Sequence, residues 1–528
     1  MTEEDRTSHR LGTVTLDPPG PVVAGSIGQW TFTYTVGSYG IDEGGTLKLA
    51  QRFASDWETP QFDQPAAPGY TTVTTSGQAS LRAYFHRKAH ERPWMKCTVI
   101  DVYDGSLAPG DTVTITLGDR SQGSPGIRAQ TFQESAHEFR LLVDPTNASV
   151  ALPLPTSPTF PVVPGPPVEL VCIVPSQTVI GEPVEIFVKG QDRWGNPTPA
   201  LEGLELAWSG DVEATIDGSR LLCTTSGTDW LLVKAGTLAC HSNPVTAFAA
   251  RPALSKHWGD LHAQTAGTVG TGTEAEYFTF GRDVARLDFA SHQGNDFQMD
   301  DAYWVHLNRT VSEFHADGRF VVFPGYEWSA NTPAGGDRNV IYRQEGKPIF
   351  RSSHWQIPHT PEDALSPAHP ASQLFARLRQ HIPAEDVLLG SHVGGRYADI
   401  RRYFDEELGP LVEVVSCWGV FEWMLWDAFE MGYTVGVMCN SDGHKGRPGA
   451  EGPGAGEFGI GGGLTCVLAE ELTRDAVFAA LKARRCYGTT GPRMDLDFAM
   501  DGQPMGSAIE TSGPVKVQAS VSGCGPLE

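Results

Sequence analysis

The amino-acid sequence predicts a multidomain protein: N-terminal β-sandwich-like domains, then an α/β domain built as a parallel sheet or (β/α) barrel, then a short C-terminal β segment. Three observations carry this. Period-two alternation of apolar and polar residues marks the first 250 residues. From about residue 254, apolar runs alternate with helix-like patterns. Just after those runs stand His, Asp, Glu and Asn side chains at tight spacing, which is how a metallohydrolase gathers ligands from strand ends.

A chain of 528 residues is too long for one core, so two to four domains are expected. Its Gly 59 and Pro 38 favour turn-rich β architecture over long helices. The formal charge is -24 and the pI near 5.0. Such a chain repels a phosphate backbone or an anionic membrane, so neither is an expected partner. The first ten residues are polar and no apolar run reaches transmembrane length; the chain reads as soluble and cytoplasmic. The cysteines lack a CxxC pair and read as reduced, buried small hydrophobes. The Asn147-Ala-Ser149 and Asn308-Arg-Thr310 sequons carry no meaning without secretion.

The first β domain is placed at 11–152. Trp30, Phe32 and Tyr34 alternate with threonines, as do Val113, Ile115 and Leu117, the pattern of half-buried antiparallel strands. Seven prolines crowd Pro153–Pro167, and the segment 153–167 is read as a stiff linker. A second β domain spans 168–250. Its alternating Val184, Ile186 and Val188 precede an Asp192-Arg-Trp-Gly-Asn-Pro197 turn, which resembles bacterial immunoglobulin-like modules.

The α/β domain is placed at 254–495. Strands are expected at Leu287–Ala290, Phe320–Phe323, Asn339–Tyr342, Val387–Leu389, Leu411–Val415, Thr434–Met438 and Leu464–Leu468. Helical spacing recurs at Trp304, Leu307, Val311 and Phe314. It recurs again at Phe421, Met424, Leu425 and Ala428, ending at Gly432, and after an N-cap at Thr473. The last segment, 496–528, alternates at Val515, Val517, Ala519 and Val521. It either pairs back onto earlier elements or is cut short at Glu528.

Nearly every strand is followed by a metal-ligand side chain. The first gives Asp260, His262 and Gln264. The next gives His292, Asn295 and Asp296. Then come Glu327, Asp337, His392, Glu413 within its own strand, Asp442 and His444. Mixed imidazole, carboxylate and amide donors suit Zn, Mn or Fe. A histidine taken singly is more often a core or surface residue, so His306, His315, His354, His359, His369 and His381, in helix-like or loop stretches, are given structural roles.

Asp260-Leu-His262, Gly325-Tyr-Glu327, His392 and Ser441-Asp-Gly-His444 resemble the motifs of the PHP (polymerase and histidinol phosphatase) superfamily. The stretch from about 256 to 500, with Arg338-Asn-Val-Ile341 and Tyr487-Gly-Thr-Thr-Gly491, is similar to a bacterial branch of it that includes carbamate-hydrolase-like enzymes. The resemblance implies a distorted (β/α)7 barrel, two or three metal ions and hydrolysis by a metal-activated water. Three positions depart from the pattern: Gln264 and Asn295 stand where histidine is usual, and Asp337 replaces the histidine of His-x-Asn. One tightly held divalent ion is therefore expected at His262, Glu327, His392, Asp442 and His444. A weaker or absent second ion is expected on the Gln264/Asn295 side, with one to three ions as the outer range.

The reaction expected is hydrolysis of a small-molecule carbamate, ester or amide bond. Asp296, or one of Asp337 and His444, is the expected proton shuttle. Arg338, Arg396 and Arg447 are candidate anion-binding residues, and Trp328, Trp418 and Trp423 are candidate pocket walls. Gly454-Ala-Gly-Glu-Phe-Gly459 matches GxGxxG without a following helix and reads as a mobile loop over the site. No GxSxG or P-loop is present. A phosphoesterase and a non-catalytic scaffold are the alternatives, and assembly into a homo-oligomer is left open.

Overall fold

The computed structural model describes residues 3–199, 201–357, 367–450 and 461–524. The chain divides into two compact units, Met1–Gly165 and a second beginning at Pro166. The Gly454–Gly459 motif and His359 lie outside the described residues. Among the described residues no helix is long and apolar enough to cross a membrane.

In the first unit, strand Trp30–Val36 pairs with Thr112–Leu117 so that Trp30 faces Leu117, Phe32 faces Ile115 and Tyr34 faces Val113. All six are buried. The alternation seen in the sequence thus becomes one apolar face, with the threonines on the other. Gly12–Asp17 and Thr71–Thr75 complete this four-stranded antiparallel sheet. A five-stranded sheet runs Leu152–Pro153, Arg140–Asp144, Thr46–Gln51, Lys96–Tyr103, Ser80–His86. Phe139 links the layers, 5.0 Å from Phe32 and edge-on to Trp57.

Part of the proline-rich segment is strand, and the boundary between the two units falls at its end, between Gly165 and Pro166. Thr159–Val163 pairs antiparallel with Glu134–Glu138 and parallel with Val22–Val23. The register slips between Glu134 and His137, so Pro161 falls in the bulge. There its missing N–H costs no ladder bond.

The second unit opens with a β module of small sheets between Glu169 and Phe248, around Leu170, Cys172, Val174, Leu221, Leu231 and Val233. Its Asp192 turn is closed by side-chain bonds. Asp192 Oδ1 accepts from the backbone N–H of Trp194 (2.8 Å) and Asn196 (3.0 Å), and Oδ2 accepts from Asn196 Nδ2 (2.9 Å). Gly195 supplies the left-handed residue the turn needs, at φ +78°.

The α/β part that follows has two mixed sheets. One runs Val321–Phe323, Phe289–Ser291, Ser255–Asp260, Leu464–Ala469, Cys486–Thr489. The other runs Gly325–Trp328, Arg338–Tyr342, Val387–Ser391, Leu411–Ser416, with Gly419–Val420 and Gly436–Cys439 also paired to Leu411–Ser416. Among the described residues the strands do not show the expected distorted (β/α)7 barrel. Gly325–Trp328, Arg338–Tyr342 and Val387–Ser391 are successively antiparallel, and Ser255–Asp260 is antiparallel to Leu464–Ala469. The short connection from Trp328 to Arg338 makes a hairpin and has no room for a crossover helix. Parallel bridges at Asn295↔Glu327 and Ala263↔Gly443 join the sheets just beyond strand ends.

The expected helices form at Asp301–Phe314, Glu422–Glu430 and Arg474–Lys482. Asp300 and Thr473 cap the first and last, and Trp304, Leu307 and Val311 are buried as their spacing demands. At the C-terminus, Val517–Ser522 pairs back onto Asp495–Met500.

Replacing Asp192 with alanine leaves buried donors of the turn unsatisfied. The Asp192→Ala variant is expected to lose about 1–3 kcal/mol of stability, read as a lowered urea midpoint with unchanged far-UV circular dichroism below the transition.

Candidate metal centre

The site forms where the first strand ends. Asp260 acts as a backbone clamp. Its Oδ1 accepts from the N–H of His262 and Ser441, 3.1 Å each, and its Oδ2 accepts from Gly449 N–H at 2.7 Å. Fully buried, Asp260 is pushed up to about 6 by desolvation, which these bonds oppose. The clamp aligns the first strand with the 440s loop. Asp442 N–H donates to His262 O (2.7 Å), and Gln264 N–H donates to Gly443 O (2.8 Å). Asp442 is left-handed at φ +46°, a conformation tolerated by aspartate.

His262 is at the centre. Its Nδ1 lies 3.1 and 3.2 Å from the two carboxylate oxygens of Glu413. Its Nε2 is therefore turned the other way, 3.2 Å from Asp442 Oδ1 and 4.0 Å from Glu327 Oε2. His392 packs edge-on to it, ring centroids 4.3 Å apart, with Nε2 3.9 Å from Glu327 Oε1. His262, His392 and Glu413 each present a ligand atom within 4.8 Å of the others.

Among the described residues, several buried atoms here have no hydrogen-bond partner: His262 Nε2, both ring nitrogens of His392, and Asp442 Oδ2. His262 Nε2 and Asp442 Oδ1 are close without hydrogen-bond alignment. Ligand atoms sharing one ion bonded at about 2.1 Å sit roughly 3–3.5 Å apart. Electrostatics point the same way. Glu327, Asp337, Glu413 and Asp442 are each at most 3% exposed, an excess of buried negative charge that a cation offsets. Burial, with His262 adding, holds His392 down at about 4, so its imidazole is neutral and able to bind a metal. Burial works against the charge of Glu327, but His262 and His392 hold it at about 2. Burial raises Asp442 well above the carboxylate range, although His262 opposes this. The donor set fits a divalent cation of the Zn, Mn or Fe kind.

Not every expected ligand joins. Gln264 spends its amide on protein partners: Nε2 donates to Glu327 Oε2 (2.8 Å) and Oε1 accepts from Thr268 Oγ1 (2.8 Å). Asn295 Nδ2 also donates to Glu327 Oε2 (2.8 Å) and meets Ser329 Oγ (2.9 Å). His292 belongs to a different network, its Nε2 3.0 Å from Thr265 Oγ1, which in turn donates to Glu274. Burial lowers it to about 4. His444 is buried on the Asp442 loop, edge-on to Trp418 at 6.4 Å.

The proton-transfer candidates also separate. Asp296 accepts from Ser329 N–H (2.8 Å), Ser352 N–H and Ser352 Oγ (3.1 Å), so it ties two loops together. Asp337 stays beside the cluster. A Cβ at Gly394 would lie 2.9 Å from Asp337 Oδ2, 3.3 Å from His392 Cε1 and 3.7 Å from Asp442 Oδ2. Burial and the nearby Glu327 raise Asp337 to about 8, with Arg396 opposing. Arg338 points away and donates to the backbone carbonyls of Gly335, Gly336 and Tyr403. Trp328 is likewise core, its Nε1 donating to Ala368 O.

The residue underweighted by spacing is Glu413. Its place inside the apolar Leu411–Ser416 strand was the available signal. In the fold it orients His262 and accepts from Asn440 Nδ2 (2.7 Å), the carboxylate–imidazole pairing that fixes a ligand's tautomer.

A family model described as protein of unknown function (DUF3604) matches residues 454–516. The chain is similar to an uncharacterized protein of Chlamydia trachomatis, 23% identical over 547 residues, covering 94% of this chain and 84% of that one. A protein of Chlamydia pneumoniae is 24% identical over 556 residues, covering 93% and 84%. Among solved structures, a two-domain protein from Bacteroides vulgatus, described as containing a predicted PHP-like metal-dependent phosphoesterase, matches 45% of this chain. The match covers 65% of that protein, at 12% identity and TM-score 0.31.

If Glu413 orients His262, Glu413→Gln is expected to weaken metal affinity about 10–100-fold. Competition against a chromophoric chelator measures this, and an unchanged affinity would show that Glu413 does not act through His262.

Proposed function

We propose that the chain is a metal-dependent hydrolase that cleaves a carbamate, ester or amide bond of a small molecule. The observation that supports this best is the convergence of buried donor atoms without hydrogen-bond partners, on His262, His392 and Asp442, around Glu327. These four residues would hold one divalent ion, with Glu413 behind His262. A divalent ion bound there lowers the pKa of a water toward neutrality and polarises the scissile oxygen. Asp337 borders the same point, and in this reading it accepts the proton once the bound cation offsets the burial and the Glu327 charge that raise it. Glu327 Oε2, which would otherwise face a second cation, is taken by the amides of Gln264 and Asn295. That supports a single-ion site.

Elemental analysis of purified protein is expected to find about one equivalent of divalent metal. Chelation should abolish turnover of aryl esters, carbamates or anilides. His262→Ala and Asp442→Ala should each lose the metal and more than about a hundredfold in kcat/KM. Turnover of an aryl phosphate alone would replace the acyl bond with a phosphoester. Activity and metal content indifferent to both substitutions would leave a scaffold. Restoring imidazoles in a Gln264→His, Asn295→His double variant should raise the stoichiometry toward two ions. A stoichiometry still at one would show that the two amides do not set the ion count.

A further inference from the structure

Three arginines could meet an anionic group, and the fold uses two of them elsewhere. Arg338 is spent on backbone carbonyls. Arg447 is buried and donates to Asn196 Oδ1 at 3.0 Å. Arg396 differs. Its backbone N–H donates to Asp337 Oδ2 (3.1 Å), and its Nε lies 2.9 Å from Asp337 Oδ1. Its guanidinium stands over the Phe297 ring at 5.9 Å. The terminal nitrogens, Nη1 and Nη2, make no hydrogen bond among the described residues, and the side chain keeps 24% of its exposure.

Arg396 is also the part-exposed neighbour of a buried cluster. Gly394 is half-buried and Gly395 exposed. A Cβ at Gly395 would meet nothing within 4 Å, while one at Gly394 would touch Asp337, His392 and Asp442. These glycines therefore lie between Arg396 and the candidate metal ligands, with no side chain in the way. The acids around the cluster repel an anion, so a cation held open at this point has a recognition role to play. A guanidinium ion-paired through Nε, here without hydrogen-bond alignment, still presents the two N–H groups of its far edge, the fork that matches a carboxylate or phosphate.

We propose that Arg396 is an anion-recognition residue: the substrate carries a carboxylate or phosphate-like group beside the bond that is cleaved, and that group pairs with the free edge of Arg396. This rests on the reading of the cluster as the hydrolytic centre. In that arrangement the ion pair with Asp337 holds the guanidinium, and the missing side chains of Gly394 and Gly395 leave room between the two subsites.

The test uses three hydroxamates, which bind a divalent ion at one end: acetohydroxamate, succinic monohydroxamate and phosphonoacetohydroxamate. Isothermal titration calorimetry on the full chain with its metal is expected to find at least one charged probe bound about tenfold or more tighter than the neutral one. Whichever charged probe is preferred identifies carboxylate or phosphate as the group recognised. Arg396→Gln should erase the preference while metal content and circular dichroism stay as in the parent, and Arg396→Lys should keep part of it. Equal binding of all three probes by the parent protein overturns the proposal. So does a preference that survives in Arg396→Gln, or a chain that holds no metal and binds no hydroxamate. Metal and charge preference without turnover of any ester, carbamate or amide would retire the hydrolase reading and leave the anion subsite standing.

Discussion

Glu327, Asp337, Glu413 and Asp442 are buried together around two imidazoles, and the α/β part is organised by the need to compensate them. An uncompensated buried charge costs several kcal/mol, so each carboxylate has a partner. Glu413 and Asp442 take opposite edges of His262. Arg396 holds Asp337. Two amides share one oxygen of Glu327. What stays unsatisfied is a set of lone pairs facing one another, which is what a cation site looks like before its protein partners run out.

The backbone is arranged to hold that set still. Asp260 stitches the first strand to the 440s loop through three N–H groups. The β module from 169 to 248 braces both partners from outside. Trp258 Nε1 donates to Ser176 Oγ at 2.9 Å, and Arg447 donates to Asn196, whose own amide closes the Asp192 turn. A turn that reads as local punctuation is therefore also a support for the loop carrying Asp442. The C-terminal sheet adds another tie, Lys256 bridging Asp495 and Asp497.

Gln264 and Asn295 illustrate how a neutral group can replace an ion. Each donates an N–H to Glu327 Oε2, meeting the carboxylate's need for positive partners without importing charge or a vacant coordination position. Their effect on the site is local. His262, His392 and Asp442 on the other side keep their open donor atoms.

Much was legible from sequence because it follows from periodicity. The strands of the α/β part fall close to the apolar runs, and the helices start at Asp300 and Thr473, whose side chains cap them. That His262, Glu327, His392 and Asp442 would be brought together was legible, since residues at or near strand ends face a common rim. Sequence alone did not decide hydrogen-bond direction or sheet sense. The strand Thr159–Val163 is hidden among the prolines of Pro153–Pro167 until a bulge is found to receive Pro161. Asp296 and Arg338 look reactive until backbone groups of distant loops are found to occupy them. Glu413 looks like one polar residue in a buried strand until His262 is placed against it. Residue type and spacing determined which donors exist and where each strand ends. Only the tertiary structure decided which donors were already bonded to protein and which faced one another unbonded, because that depends on partners brought together from more than 150 residues away along the chain.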